Sequence, residues 1–346
     1  MAGGVVAFTS FTCAELAPAL ALARDLQRRH SEWRRVGVLV DRIPEGCDES
    51  WRSAFDSVWE AEALYGEDWR RFVFKHDAAE AALAVRGRAL RALLAEGVEK
   101  AIYLAPEIGV FGDLADIERR LDAASILLTP HQSAPNDNAQ AIADNEALAL
   151  RHGVYNLSFL GVRNDAAGRA LAHWWAARLD RAAYDDLGGG AYDDQKHFDL
   201  APALFDGVET LRDPGCHVAS WNLSRREIEF AHDGRLVVNG DFALKFYNFA
   251  NPYGDAAILT ERYAGRRLAV YELAAYRRRA LAQAGAPALA QADWAYGRFD
   301  DGAPIAGMAR RLYRGDPDLA ARHPDPFAAG PQTYLAYLRA NRPDLL

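Results

Sequence analysis

Residues 5–41, VVAFTSFTCAELAPALALARDLQRRHSEWRRVGVLVD, carry a strand–helix–strand pattern. The apolar run 5–8 is typical of a buried strand, and apolar residues at helical spacing follow over 11–29. Residues 36–40 form a second buried run, which ends at Asp41. A strand, a crossing helix and a second strand are most simply joined in a parallel sheet, so the pattern predicts an α/β fold.

Further strand patterns continue the sheet. A long helix is predicted over 78–97, with Gly97 as its C-cap, before a strand over 100–104. The apolar runs 125–129 and 155–162 are also typical of buried strands. We therefore expect a mixed, mainly parallel sheet of the Rossmann type, flanked by helices.

Polar residues lie where the first strands end. Thr9 and Ser10 end the first strand, Asp41 follows the second, and Glu107 follows the strand 100–104. In an open parallel sheet, ligands gather at the carboxyl ends of the strands. These residues are therefore expected to line one crevice, which is a candidate nucleotide pocket.

The final third of the chain differs in composition. It is richer in Arg, Ala and Tyr, and its segments 262–284 and 331–342 predict helices. We expect a sheet domain over 1–255 and a helical C-terminal extension over 256–346. The extension is compatible with a lid, a tail packed on the sheet, or a contact in a homo-oligomer.

Composition excludes several classes of protein. The 346-residue chain is 50% hydrophobic and carries a net charge of -8, which argues against general nucleic-acid binding. Its three cysteines have no Cys-x-x-Cys spacing, so a reducing cytoplasmic location is expected. Because no window of about 18 apolar residues occurs, at most a peripheral membrane contact is expected.

The segment 188–205, GGGAYDDQKHFDLAPALF, gathers ionisable and amide side chains behind three glycines. The glycines allow backbone torsions that other residues avoid, so a bent loop can present Asp193, Asp194 and Gln195 to a ligand. An acidic helix N-terminus, in which the carboxylates complement the helix dipole, is the alternative. This segment alone does not choose between the two interpretations.

Five motifs in order resemble those of a known group of enzymes. They are YLAPEI (103–108), LLTPH (127–131), YNLSFLGV (155–162), DDQKHFDLAPALF (193–205) and LRDPGCHVASWNL (211–223). Together they resemble bacterial nucleotide-sugar glycosyltransferases of the GT-A fold, distantly similar to the glycogenin-like retaining enzymes. The resemblance covers most of residues 1–255 and implies a GT-A-like sheet domain.

The resemblance implies roles for individual residues. It implies donor contacts from Thr9, Ser10, Phe11, Arg86 or Arg88, Asn156 and Ser158. It places Asp194 and Gln195 beside the transferred sugar, with Asp193 as a second candidate. In an inverting reaction, Asp194 or Asp193 would act as the general base. Trp221 and Asn222 are expected on the acceptor side, where His131 either bonds acceptor or phosphate or is structural.

The chain departs from the family at its metal site. Members usually carry Asp-Pro-Asp, whose carboxylates bind Mn²⁺ or Mg²⁺, where this chain has Ala105-Pro106-Glu107. A family histidine is replaced by Asn248, and an amide oxygen is a weaker ligand. Glu107 and Asn248 are thus the remaining metal candidates, and a weak or absent site is expected. The side chains expected to balance a diphosphate instead are Arg86, Arg88, Lys196, His197 and Lys245.

Other enzyme classes lack their motifs here. The chain has no His-Glu-x-x-His, no GxxxxGK[ST] loop and no GxGxxG fingerprint. The sequence therefore predicts a glycosyltransferase that uses a nucleotide-sugar donor, with UDP-sugars favoured and dTDP- and GDP-sugars open. The acceptor is expected to be a glycan or small molecule. The alternative is a non-catalytic protein that binds sugar nucleotides or glycans on the same fold.

Overall fold

The computed structural model describes residues 4–182, 194–251, 254–285 and 287–346. The strands in chain order are β1 (Val5–Phe11), β2 (Arg34–Leu39), β3 (Ser57–Glu60), β4 (Lys100–Leu104), β5 (Ile108–Val110), β6 (Ile126–Pro130), β7 (Tyr155–Arg163), β8 (Val208–Thr210), β9 (Val218–Ala219), β10 (Ile228–Phe230), β11 (Leu236–Val238), β12 (Phe242–Ala243) and β13 (Phe246–Asn248).

Helices connect and follow these strands. They are α1 (Leu16–Arg29), α2 (Trp69–Phe74), α3 (Ala78–Ala84), α4 (Arg86–Ala95), α5 (Ala115–Arg120), α6 (Ala139–Ala141), α7 (Ala147–His152), α8 (Ala166–Ala182), α9 (Ala201–Leu204), α10 (Asp255–Ala264), α11 (Leu268–Ala284), α12 (Pro287–Ala290), α13 (Gly307–Gly315), α14 (Pro317–Arg322) and α15 (Tyr334–Asn341). No helix in the described ranges combines the length and the apolar character that a membrane span requires.

The main sheet is mixed and mainly parallel, as predicted. Within the described residues it contains seven strands in the order β3-β2-β1-β4-β7-β6-β8. Neighbouring strands run parallel, except that β7 is antiparallel to both β4 and β6. Because β7 runs the other way, its beginning lies beside the end of β4, where the N–H of Ala105 donates to the carbonyl of Ser158 at 2.9 Å.

Helices cover both faces of the sheet. Val6 and Phe8 of β1 face a core that includes Leu90 of α4, whereas Val5 and Ala7 face a second core that includes α1. Every residue of β1 is buried, which is why its sequence reads as a continuous apolar run rather than an alternating one.

The helix predicted over 78–97 is two helices. The Asp77 carboxylate accepts the N–H of Glu80 at the start of α3, and a turn at Val85 separates α3 from α4. Gly97 follows α4 with φ +85°, a left-handed conformation that ends the helix as predicted. The helix predicted over 262–284 is also divided, by Gly265 at φ +57° between α10 and α11.

Helices α4 and α8 pack backbone against backbone. A Cβ atom added at Gly87 would lie 2.6 Å from the nitrogen of Ala176, so only glycine permits this approach. The close contact sets Arg86, the first residue of α4, against Trp175 of α8, with the guanidinium carbon 5.4 Å from the ring centroid. This packing determines one side of the candidate site.

The C-terminal helices complete the core of the sheet domain. The ring of Phe74 packs at centroid distances of 4.9 to 5.9 Å against Phe299, Tyr313, Phe327 and Tyr334. The indole N–H of Trp69 donates to the hydroxyl of Tyr296 at 2.7 Å. The predicted helical extension is therefore present as α10–α15. The division at residue 255 stays a prediction, since the two parts share one hydrophobic core.

Candidate functional site

The predicted residues of the crevice lie at one edge of the sheet. Thr9 and Ser10 are near the end of β1, Asp41 follows β2, and Glu107 follows β4. Asn156 and Ser158 reach the same edge from the beginning of β7, because that strand is antiparallel. We call this region the strand-end edge. Two groups of contacts hold its polar side chains. One surrounds Glu107 and Asn156, and the other lies on the nucleotide side, around Ser10 and Asp41.

The first group joins β4, β7 and the end of β6. The hydroxyl of Ser158 donates to Oε1 of Glu107 at 2.8 Å, and Oδ1 of Asn156 accepts the N–H of Ser158 at 2.9 Å. Nδ2 of Asn156 lies 3.0 Å from Nε2 of His131. Removal of the ring from water lowers the pKa of His131 to about 4, so the neutral ring accepts this hydrogen bond at neutral pH.

The same network continues to the predicted acceptor side. Nδ2 of Asn222 donates to the carbonyls of His131 at 3.3 Å and His217 at 3.0 Å. The ring of Trp221 lies 5.7 Å from that of His131, and its indole nitrogen is buried without a hydrogen-bond partner among the described residues. A buried donor without a partner is costly, so this N–H is available to a ligand.

Thr129 and His217 belong to the same network of contacts, and the sequence interpretation did not place them in the candidate site. Nδ1 of His217 lies 2.6 Å from Oγ1 of Thr129, and its Nε2 lies 3.3 Å from Nδ2 of Asn248. Burial lowers the pKa of His217 well below its ordinary value, so the ring is neutral. With φ +54°, His217 adopts a left-handed conformation that is uncommon for a non-glycine residue and that Asn239, Asn251 and Gln332 also adopt in this chain. The one sequence feature that could have pointed to His217 is its position within the motif 211–223. The spacing of histidines, which indicates zinc sites, does not predict hydrogen bonds of this kind.

The two remaining metal candidates are neighbours. Strand β13 pairs with β5, so Asn248 lies opposite Ile108, and the N–H of Phe249 donates to the carbonyl of Glu107 at 3.1 Å. However, Oδ1 of Asn248 accepts the N–H of Ala250 at 2.7 Å, and Nδ2 faces His217.

These residues do not fit a hard divalent cation. Mn²⁺ and Mg²⁺ require several oxygen ligands, and this pair offers one carboxylate and an amide whose oxygen is already bonded. Within the described ranges, no group of three or more His, Cys, Asp or Glu side chains could hold a metal ion. We therefore assign no step of the chemistry to a metal, and metal dependence stays a prediction.

The Asp194–Gln195 pair is anchored to the beginning of β7. Asp194 is 1% exposed, and its two oxygens accept bonds from Nη2 of Arg86 and Nε1 of Trp175, each at 2.6 Å. Nη1 of Arg86 also donates to the carbonyl of Leu157 at 3.2 Å. Oε1 of Gln195 accepts the N–H of Leu157 at 3.1 Å. Asp193, the second candidate, lies outside the described residues.

Most of the predicted diphosphate cations have other partners. Arg86 pairs with Asp194, Arg88 with Asp180 at 2.9 Å, and Lys245 with both Asp116 and Asp213 at 2.5 Å. Nζ of Lys196 donates to the carbonyl of Arg151 at 3.4 Å, whereas Nε2 of His197 is buried without a hydrogen-bond partner in the described part of the chain. The ion pairs make Arg86, Arg88 and Lys245 parts of the folded framework, and their roles toward a donor stay predictions.

Residues on the nucleotide side have structural contacts as well. Phe11 is fully buried and stacks on Phe55 with centroids 5.6 Å apart. The hydroxyl of Ser10 donates to the carbonyl of Ala82 at 2.7 Å. The carboxylate of Asp41 accepts three backbone N–H groups at 2.9 to 3.3 Å, those of Cys13, Arg42 and Ala295. The hydroxyl of Thr9 is buried without a partner among the residues described, so it can bond a ligand.

Glu15 is another residue at this edge that the sequence interpretation missed. Its Oε2 accepts the N–H of Thr12 at 3.1 Å, the pattern of a capping box before α1. Burial, with the nearby charge of Glu107 as a smaller cause, raises the pKa of Glu15 to about 7. The sequence gives no sign of this, because Thr-x-x-Glu before a helix has an ordinary capping explanation.

Comparison with known proteins gives distant similarity. No family model matches the chain. The uncharacterized protein YfnD of Bacillus subtilis (strain 168) is 26% identical over 150 residues, which span 43% of this chain and 45% of that protein. The chain therefore matches less than half the length of this relative.

Solved glycosyltransferases share the arrangement of elements only loosely. The galactosyltransferase LgtC, in complex with donor and acceptor sugar analogs, is 12% identical to this chain. The alignment covers 81% of this chain and 96% of LgtC, with a TM-score of 0.45. Mouse xyloside xylosyltransferase 1 is 10% identical and covers 72% and 98%, with a TM-score of 0.42. Such similarity bears on neither the substrate nor the mechanism of this chain.

Proposed function

We propose that the chain is a glycosyltransferase that moves a sugar from a nucleotide-sugar donor, with UDP-sugars favoured, to a glycan or small-molecule acceptor. The observation that carries the proposal is the anchoring of Asp194 and Gln195 on the beginning of β7. This contact places Gln195 beside Asn156 and Ser158, the residues expected to contact the donor sugar. The loop and the strand would then contact the same donor sugar.

The chemistry expected of the loop and the strand is orientation rather than proton transfer by Asp194. Both oxygens of Asp194 already accept hydrogen bonds from buried donors, so the carboxylate holds the loop in place. Gln195 is partly exposed and can contact a sugar hydroxyl. Holding the donor in a reactive geometry lowers the barrier without a change of protonation.

The test is a ligand panel followed by turnover. Uridine, guanosine and thymidine diphosphates and their sugar conjugates are added with Mn²⁺ or with EDTA, and thermal unfolding is recorded. A ligand at about 100 times its Kd should add roughly 2.7 kcal/mol to stability. Release of nucleoside diphosphate from the stabilising sugar nucleotide then measures turnover.

Gln195→Ala is expected to reduce turnover at least about tenfold, as is typical when one positioning contact worth about 1.4 kcal/mol is lost. Gln140→Ala is the matched control, because Gln140 is exposed and bonds Asp144 on the surface. Equal turnover in both variants would remove Gln195 from the site. Stabilisation only with Mn²⁺ would contradict the expected weak metal dependence.

A non-catalytic binding protein is the second candidate. The burial of Asp194 and the presence of Ala105 where relatives carry a carboxylate favour it. Stabilisation by a sugar nucleotide, without release of nucleoside diphosphate in the presence of any acceptor tried, would support this candidate over the transferase. No stabilisation by any nucleotide would contradict the transferase and leave only a non-catalytic protein that binds glycans.

A further inference from the structure

Arg277 of α11 reaches the strand-end edge from the C-terminal extension. Its Nη2 donates to the carbonyl of Pro106 at 2.8 Å, and its guanidinium carbon lies 5.4 Å from the ring centroid of Phe249. Pro106 precedes Glu107, and Phe249 follows Asn248. The guanidinium thus lies beside the two positions where relatives are expected to hold a metal ion.

The charge of Arg277 is buried and lacks a close carboxylate. The side chain is 7% exposed, and among the described residues no carboxylate oxygen lies within 4.0 Å of it. Burial lowers the pKa of Arg277, whereas the more distant charges of Glu107 and Asp25 oppose that shift. Asp25 is itself bonded to Arg28 and Tyr276.

Another buried arginine shows how such a charge is satisfied within the fold. Arg310 is 4% exposed and also lacks a carboxylate within the described ranges, but it donates to the carbonyls of Phe74 and Tyr296 and lies over the rings of Phe74 and Trp294. Arg277, by comparison, donates one hydrogen bond and lies over one aromatic ring among the described residues. None of the guanidinium nitrogens of Arg277 is buried without a hydrogen-bond partner among the described residues, so the N–H groups that do not bond Pro106 reach water, and an anion can replace that water.

We propose that Arg277 binds the diphosphate of the nucleotide, in the place where related enzymes use a divalent cation. The proposal rests on the proposed function. A guanidinium suits this role because its planar N–H groups bond phosphate oxygens in pairs and its charge persists at all physiological pH values. It also gives the C-terminal extension a part in the site, since α11 supplies the cation for a pocket built by the sheet domain.

The experiment measures affinity for uridine, UMP and UDP by calorimetry, in EDTA, with the full chain. Arg277→Gln is expected to raise the Kd for UDP at least about tenfold and to leave the Kd for uridine within about twofold, because the guanidinium meets only phosphate. The difference between variants should shrink as salt is raised, since the interaction is between charges. If the panel above identifies guanine or thymine nucleotides instead, that series replaces uridine.

Arg310→Gln is the matched control, being a buried arginine in the extension that contacts no residue of the strand-end edge. It should leave the Kd for UDP unchanged wherever it folds. Arg277→Lys keeps the charge but not the paired bonds, and it should bind UDP with an affinity between those of the wild type and Arg277→Gln. This variant keeps the test decisive if Arg277→Gln does not fold.

Three results would overturn the inference. Arg277→Gln could bind UDP as the wild type does, or lose affinity for uridine and UDP equally, which would indicate a structural role. Arg277→Lys could equal the wild type, which would exclude paired bonding. Failure of the wild type to bind any nucleotide would instead overturn the proposed function itself, so the two failures are distinguishable.

Discussion

Arg86 and Arg277 reach the same edge of the sheet from different helices, and they differ in what balances their charge. Arg86 is 2% exposed and pairs with the buried carboxylate of Asp194 at 2.6 Å. Arg277 is almost as buried and has a carbonyl and an aromatic ring instead. The difference separates a charge that holds the fold together from one that is left for a ligand.

Removing the carboxylate that pairs with Arg86 should leave Arg86 without an ion pair, like Arg277. Of the changes considered, this one should reduce the unfolding free energy most. Asp194→Ala leaves the guanidinium buried without its carboxylate, so a loss of about 3–5 kcal/mol in unfolding free energy is expected. Urea denaturation measures it. Asp180→Ala, which breaks the partly exposed pair with Arg88, is the control and should lose at most about 1 kcal/mol. Equal losses would contradict the distinction between the two pairs.

Glu15 extends the comparison to a partly buried carboxyl group that forms no ion pair among the described residues. Its pKa is raised to about 7 in the folded protein, above its ordinary value of 4.5. Between these two values the folded state holds a proton that the unfolded state releases, so the contribution of Glu15 to stability is complete below pH 4.5 and is lost as pH rises through about 7.

Glu15→Gln should remove this fall and stabilise the protein at pH 8 by up to about 3 kcal/mol, because a pKa difference of one between folded and unfolded states corresponds to about 1.4 kcal/mol. Unfolding free energies at about pH 5 and pH 8 give the measurement. Glu229→Gln alters an exposed strand residue and should leave the pH profile unchanged. A Glu15→Gln profile that matches the wild type would show that the carboxylate has an ordinary pKa.

Removing Arg277 itself should alter the free protein little. Arg277→Met relieves the cost of a buried charge but loses the bond to Pro106, so the unfolding free energy should change by no more than about 1 kcal/mol. The measurement is denaturation without nucleotide. A loss of about 3 kcal/mol or more would place Arg277 with Arg86 as a structural charge.

An exposed ion pair should contribute least to stability. Arg235 pairs with Asp233 at 2.6 Å, and both side chains are more than half exposed. Arg235→Ala should change stability by less than about 0.5 kcal/mol, because water already solvates both groups. Thermal unfolding at low and high salt checks it, and a loss above about 1 kcal/mol would contradict the dependence on burial.

The sequence predicts the sheet and much of its edge. The apolar runs identify β1, β4 and β7, and the polar residues in or next to these strands lie at the strand-end edge. The direction of β7 is not predictable from its composition, because a buried strand has the same apolar pattern in either direction. That direction decides that Asn156 and Ser158 lie beside Glu107.

The balance of charge is not predictable from the sequence either. The sequence predicts that Arg86 contacts the donor. Its partner in the structure is Asp194, which lies 108 residues away, and no local pattern links these two residues. Arg277 stands in the run 276–279, which is typical of a solvated helix face. Its contact with Pro106 spans 171 residues and depends on how α11 packs. Pairings over such distances are set by tertiary packing, about which local spacing carries no information.

The packing of Phe74 has a consequence for synthesis of the chain. Its ring is covered by residues as late as Tyr334, which lies 260 positions further along (334 minus 74). At roughly 5–20 residues per second, the ribosome needs on the order of 10–50 s to make that stretch. Although the last strand of the main sheet ends at Thr210, Phe74 lacks the rings of Phe299, Tyr313, Phe327 and Tyr334 until those residues are made. A chaperone that holds apolar surface should therefore bind the nascent chain until α15 emerges.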